Sequence, residues 1–185
     1  MKKITLTVLL FISSVVLFAQ QNNNYSEMNN ELKLNMSNLI GFKWLDVGYE
    51  RILNEESSIG FGTLISLDNN VDGLDEYRTF SLTPYYRHFF SNKYAQGFFI
   101  EAFTMVHSGK FDDYYYDDYY YDNYDPSLKD HKYTDLAVGI SVGGKWVTRR
   151  GFVAEIYAGI GRDMLDNSDI EVVGRGGVSI GYRFQ

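Results

Sequence analysis

The chain has 185 residues, 17 Lys and Arg against 24 Asp and Glu, a formal net charge of −7 and no cysteine. That length suits one domain, and the acidic balance argues against a nucleic-acid partner, whose phosphates need a basic footprint. Without cysteine there are no disulfides, no thiolate nucleophile, no cysteine-ligated metal and no lipidated cysteine behind a leader.

The N-terminus, MKKITLTVLLFISSVVLFA, passes from Lys2 and Lys3 through an apolar stretch, Ile4 to Phe18, to the small residue Ala19. This order predicts a secretory signal peptide over residues 1–19. The alternative, a membrane anchor, would need ~20 spanning residues, more than the apolar stretch supplies. Loss of Lys2 and Lys3 with the leader takes the net charge from −7 to −9. Residues 20–30 are polar and Asn-rich and read as a disordered lead-in. Nothing after them approaches a transmembrane helix, so residues 31–185 must bury their apolar side chains another way.

From residue 31 onward the hydrophobic period is two. In Asp135–Val147, Leu136, Val138, Ile140, Val142 and Trp146 share one face, and Asp135, Ser141 and Lys145 share the other. In the next segment Phe152, Ala154, Ile156, Ala158 and Ile160 oppose Glu155 and Tyr157. At the C-terminus Val178, Ile180, Tyr182 and Phe184 oppose Arg175, Ser179 and Arg183. Counting outward predicts eight strands, near 31–40, 44–54, 58–68, 77–90, 97–110, 133–147, 152–164 and 171–184. Each is about as long as the ~9–11 tilted residues that cross a bilayer, or longer. Short connections (54–57, 91–96, 148–151) alternate with mostly longer ones (68–76, 111–132, 165–170), and 41–43 is the exception. Short turns at one end and loops at the other are the pattern of an outer-membrane barrel. Pro84 fits a closed sheet poorly and predicts a bulge.

Eight strands could also form a soluble barrel carrying a ligand in an apolar lumen. The faces favour lipid outside. One face carries Lys33, Asn35, Glu50, Thr79, Ser81, Arg87, Glu101, Ser141, Lys145, Glu155, Arg175, Ser179 and Arg183. The other carries Leu34, Met36, Val47, Ile59, Phe61, Ile65, Phe80, Leu82, Ile100, Val138, Ile140, Ile156, Ile160 and Ile180. A charge against hydrocarbon costs ~2–4 kcal/mol near the midplane, so the charged set belongs inside. An eight-stranded lumen is just wide enough to be filled by side chains. Lys33, Arg87, Lys145, Arg175 and Arg183 are therefore expected to pair with Glu50, Glu101 and Glu155 as a plug rather than line an ion pathway. Tyr49, Tyr86, Phe89, Phe90, Tyr94, Phe98, Trp146, Phe152, Tyr182 and Phe184 gather beside the short turns, as an interfacial girdle does.

With this pattern, and with the ending VSIGYRFQ, residues 31–185 resemble small eight-stranded outer-membrane barrels of the OmpA/OmpX type. The resemblance implies a closed antiparallel up-and-down transmembrane β-barrel in the cell outer membrane of a Gram-negative bacterium, surrounded by outer-membrane lipid. Because the sequence ends at the barrel, no periplasmic peptidoglycan-binding domain is expected after it. The resemblance also implies that the last strand serves as a signal to the barrel-assembly machinery, although Gln185 follows the aromatic on which such chains usually end.

Some small barrels modify lipids, which makes an enzyme the competing class. The histidines are His88, His107 and His131. His107 and Ser108 are adjacent in a strand and so face opposite sides, unable to act as a base and nucleophile pair. No zinc spacing, P-loop or dinucleotide fingerprint is present. The expectation is no catalytic residue, no metal and no cofactor.

Residues 111–126, FDDYYYDDYYYDNYDP, repeat Asp-Asp-Tyr-Tyr-Tyr; residues 111–125 hold six aspartates and no Lys or Arg. A period of five suits neither strand nor helix. The expected external loop is a flexible acidic coat, a tyrosine surface for a glycan or protein partner, or a divalent-cation site, though its spacing lacks the glycine-turned order of a calcium loop. Tyr115, Tyr116, Asp117, Asp118, Tyr119 and Tyr120 are the candidate contact residues.

Overall fold

A computed structural model describes residues 28–67, 78–111, 131–165 and 171–185. The leader, most of the lead-in and the Tyr/Asp repeat lie outside them. The elements in order are β1 (Asn30–Asn35), α1 (Met36–Phe42), β2 (Trp44–Asn54), β3 (Ser57–Ser66), β4 (Phe80–Phe89), β5 (Gly97–Phe111), β6 (His131–Val147), β7 (Phe152–Asp163) and β8 (Val172–Phe184). Each strand pairs antiparallel with the next, and β8 returns to β1 through pairs such as Leu32↔Tyr182 and Leu34↔Ile180, closing the barrel.

The first strand departs from expectation. Residues 36–40 are helical, so β1 is six residues long, and Met36 belongs to α1 rather than to the outer face of a strand. The cause is local. The Asn35 side chain accepts a hydrogen bond from Asn38 N at 3.2 Å, an N-cap, and Lys43 ends the helix in the left-handed region at φ 53°. Asn and Ser side chains that bond nearby backbone favour such a cap over a ladder. At the other boundaries, Asn30 already pairs with Phe184, and the β5–β6 ladder runs on to Phe111↔His131. His131 is thus a strand residue, not part of the long loop.

Pro84 produces no bulge. It sits opposite Phe61, and the β4–β5 pairs on either side of it, Leu82↔Val106 and Tyr85↔Phe103, keep one register. A missing donor removes one ladder bond, and a strand held from both sides retains its alignment. The register shift in the described ladders of β2 and β3 lies beside their turn, between Ile52 and Asn54.

Alternation holds around the wall: the expected charged set points in and the expected apolar set points out. Glu50, Glu101, Lys145 and Arg183 are 0% exposed, whereas Ile140 is 61% and Ile160 60% exposed. Phe89 corrects the girdle. It shares the inward face of Tyr85 and Arg87 and is buried with Ile52, Ala95, Phe99 and Tyr157, with Tyr94 packed against them. Tyr86, Phe90, Phe98, Trp146, Phe152 and Phe184 remain on the outside at that end.

Inward glycines make room for rings. Gly60 faces Tyr85, Gly139 faces Phe103 and Gly143 faces Phe99 across neighbouring strands. A Cβ at Gly60 or Gly143 would stand 2.5 or 2.6 Å from the ring it faces, and one at Gly139 would overlap both Phe103 and the backbone of β7. Gly139→Val is therefore expected to lower unfolding stability by about 1–3 kcal/mol through overpacking. Gly174→Ala, with nothing within 4 Å of the added carbon, should stay within about 0.5 kcal/mol of wild type. Urea unfolding followed by tryptophan fluorescence compares the two, and equal midpoints would contradict the close approach.

Candidate functional site: a charged lumen sealed at its turn end

Strand parity brings nine ionisable side chains into one network in the lumen: Glu31 and Lys33 from β1, Glu50 from β2, Arg87 from β4, Glu101 from β5, Lys145 from β6, Glu155 from β7, and Arg175 and Arg183 from β8. Nearest the turns, Arg183 Nε donates to Glu31 Oε1 at 2.7 Å and Lys145 Nζ to Glu31 Oε2 at 2.8 Å. Next come two carboxylates. Glu50 receives Lys33 and Lys145 at 2.5 Å each and Arg87 at 2.9 Å, with hydroxyls from Ser58 at 2.6 Å and Tyr85 at 3.3 Å. Glu155 receives Arg87 at 2.8 Å and Lys33 at 2.9 Å. Towards the loops, Glu101 accepts from Arg87 Nε at 2.6 Å, from Ser141 at 3.0 Å and from Arg175.

Some of these pairs are neighbours in the sheet, such as Arg87↔Glu101 and Glu31↔Arg183. Others cross the lumen and overrule the sheet. Glu31 stands directly opposite Glu50, a repulsive arrangement by itself, and Lys145 reaches over from β6 to bridge them. Lys145 in turn lies opposite Glu155, yet Glu155 binds Arg87 and Lys33. The rings join in: the Arg87 guanidinium carbon sits 4.3 Å from the Phe99 centroid and 4.6 Å from that of Tyr85, within cation–π range.

All eight residues expected in the lumen are there and are brought together. Glu31 was missed, because it begins its strand at the edge of the lead-in. Two signals could have found it: it shares the parity of Lys33, and five cations against three carboxylates leave a surplus of two that a fourth carboxylate halves. The six candidate loop residues, Tyr115 to Tyr120, lie outside the described residues.

The turn end is closed. Arg183 also donates to the carbonyls of Tyr94 at 3.1 Å and Ala95 at 2.8 Å, and Ala95 N donates to Glu55 O at 2.7 Å. The 91–96 turn is thereby drawn beneath the lumen, over the Phe89–Phe99 pair.

Towards the loop end, His107 is fully buried and its Nε2 lies 2.8 Å from Asp163 Oδ1. Ser81 and Asp135 flank it in the sheet, and among the described residues Nδ1 has no hydrogen-bond partner. Sequence reasoning missed the Asp163 contact because 56 residues separate the partners. Among the described residues, no group of three His, Asp or Glu is arranged to hold a metal.

A closed eight-stranded up-and-down barrel with charges within and apolar side chains without is the architecture of the small OmpA-type barrels. Among solved structures, the chain is similar to the N-terminal β-barrel domain of Pseudomonas aeruginosa OprF, with a TM-score of 0.57 and 10% identity over 84% of this chain and 97% of that one. At that identity the likeness is one of fold. No protein-family model matches the chain, and no curated protein matches it.

Removing one member of a buried ion network costs about 3–5 kcal/mol by stranding its partners. Glu50→Ala, which leaves Lys33, Lys145 and Arg87 each short of a carboxylate, is expected to fall in that range. Arg175→Ala should cost less, since Arg175 is 11% exposed and its pairing carboxylate, Glu101, keeps Arg87. Glu31→Ala and Arg183→Ala are expected to be non-additive by about 0.5–3 kcal/mol in a double-mutant cycle. Chemical denaturation in detergent measures all of these, and strict additivity would contradict the pairing.

Proposed function

We propose that this protein is an integral outer-membrane barrel with a structural or surface-binding role, non-catalytic, whose lumen does not conduct. The observation that carries the reading is the inversion of polarity: nine ionisable side chains lie inside a cylinder whose outer wall is Ile, Leu, Val and Phe. A soluble carrier would put that apolar set inside and the charges in water. In a bilayer the assignment is the low-energy one, because each charge turned outward would cost ~2–4 kcal/mol near the midplane. The turn-end aromatics suit the level of the headgroups.

On this reading the lipid is the lateral partner, the strand ending at Phe184 is the segment handed to the barrel-assembly machinery, and the Tyr/Asp repeat is the contact surface for a glycan or protein. Tyrosine offers a large contact area at low entropy cost, which makes Tyr115, Tyr116, Tyr119 and Tyr120 the contact residues. Asp117 and Asp118 set the charge around them.

Three measurements test the proposal. The mature protein should partition with membranes, require detergent for extraction and migrate on a gel differently before and after boiling. A soluble monomer without detergent would end the membrane reading. Planar-bilayer recording should give no large steady conductance; an open channel of porin size would contradict the sealed lumen. Deletion of residues 112–130 should leave insertion intact, since Phe111 and His131 already pair, while glycan or protein capture is lost. Capture that depends on calcium and disappears with Asp117→Asn and Asp118→Asn would favour a cation site instead.

A further inference from the structure

Above the ion network, on the loop side, the described residues leave part of the lumen unfilled. A cavity of about 420 Å³ lies between α1 and the inner faces of β2, β3, β4, β5 and β8, within the ~300–1,000 Å³ of small-molecule sites. Its walls divide by chemistry. Trp44, Leu64 and Met105 supply apolar surface, and Arg78 and Arg175 supply two guanidinium groups.

Each polar group on this wall has a fixed position. Arg78 is almost fully buried and donates from Nη2 to Gly174 O at 3.1 Å. Arg175 is held from below by Glu101 through Nη1 and lies over the rings of Tyr85 at 4.9 Å and Tyr157 at 5.2 Å. Its Nη2 lies along Gly62, where a Cβ would stand 3.5 Å away. Asp46, the one carboxylate on the wall among the described residues, is already satisfied by Asn35 Nδ2 at 3.0 Å and Asn38 Nδ2 at 2.8 Å. Trp44 is 8% exposed, and its Nε1–H has no acceptor among the described residues. A buried donor without an acceptor costs about 1–3 kcal/mol. It sits in the wall of a cavity to which, among the described residues, Arg78 and Arg175 also bring guanidinium groups.

The geometry points to a binding site for a small carboxylate with an apolar body, taken up as a free solute from the loop side. The carboxylate would accept from Arg78, Arg175 and Trp44 Nε1, in the planar geometry that a guanidinium matches. The apolar body would lie against Leu64, Met105 and the Trp44 ring. The walls are inner faces of the strands, so bilayer lipid does not border the site. The inference does not depend on what surrounds the outer wall.

Octanoate titrated by calorimetry into the full mature protein in phosphatidylcholine nanodiscs tests this, with octanamide as the uncharged control. The expected result is saturable one-to-one binding of octanoate, with octanamide at least about tenfold weaker, as loss of a charge-assisted hydrogen bond implies. Trp44→Phe, which keeps the ring and removes the N–H, and Arg78→Gln should each weaken octanoate by roughly tenfold. Gly62→Leu projects into the cavity between Arg175 and Asp46 with only ordinary contacts at its Cβ and should abolish binding. A gel shift on boiling verifies that each variant is folded; should Gly62→Leu fail to fold, Trp44→Phe and Arg78→Gln decide. Absence of saturable octanoate binding by wild type, equal binding by octanamide, or undiminished binding by folded variants would overturn the site. Any of these results leaves the membrane reading, tested by extraction, untouched.

Discussion

Nine charged side chains in a lumen barely wide enough for them is the constraint on which this structure rests. An eight-stranded cylinder has no room for a hydration shell around each ion, and an unmatched buried ion costs several kcal/mol. The solution is that each glutamate of the network meets at least two cations: Glu31 has Lys145 and Arg183, Glu50 has Lys33, Lys145 and Arg87, Glu101 has Arg87 and Arg175, and Glu155 has Lys33 and Arg87. The network also solves a problem that polarity alone does not. Sliding a strand by two residues keeps each side chain on its own face, so inside and outside remain correctly sorted. It also carries each charge about 6–7 Å along the strand, and no pair survives that displacement. Alternation decides which face is which, and the ion pairs decide the register.

The lumen is graded along its axis. At the turn end it is dry and packed, with Phe89, Phe99 and Ala95 beneath the Arg183–Glu31–Lys145 tier. At its centre it is ionic. On the loop side the described residues leave a chamber whose wall holds the Trp44 N–H without an acceptor among them. One end of the cylinder is built to be tight, and the other retains room and unsatisfied polarity.

How much of this is legible in the sequence follows from the range of the forces involved. The strands and their facing are short-range consequences of a two-residue period, and they read correctly from Leu136 to Trp146 and from Phe152 to Ile160. The helix at Met36–Phe42 escapes because a single Asn35 cap outweighs a pattern that still alternates. Phe89 was misplaced because its neighbour Phe90 is equally aromatic, and parity across Pro84 was in doubt. The membership of the charged set is readable from parity, but its pairing is not: Lys145 prefers Glu31, 114 residues away, to the Glu155 it faces across the ladder. The His107–Asp163 contact and the chamber beside Trp44 exist only once three or more strands are in place, and no local signal announces them.

Arg183 is the last inward-facing side chain of the last strand, and it holds both Glu31 on the first strand and the carbonyls of the 91–96 turn. Completing the wall and shutting its floor are therefore one event. Until β8 docks, Glu31 lacks its Arg183 partner and the 91–96 turn lacks the guanidinium that binds the carbonyls of Tyr94 and Ala95. A chain that ends short of residue 183 leaves both the seam and the floor unfinished. The arginine thus acts as a latch that tells a finished cylinder from an incomplete one.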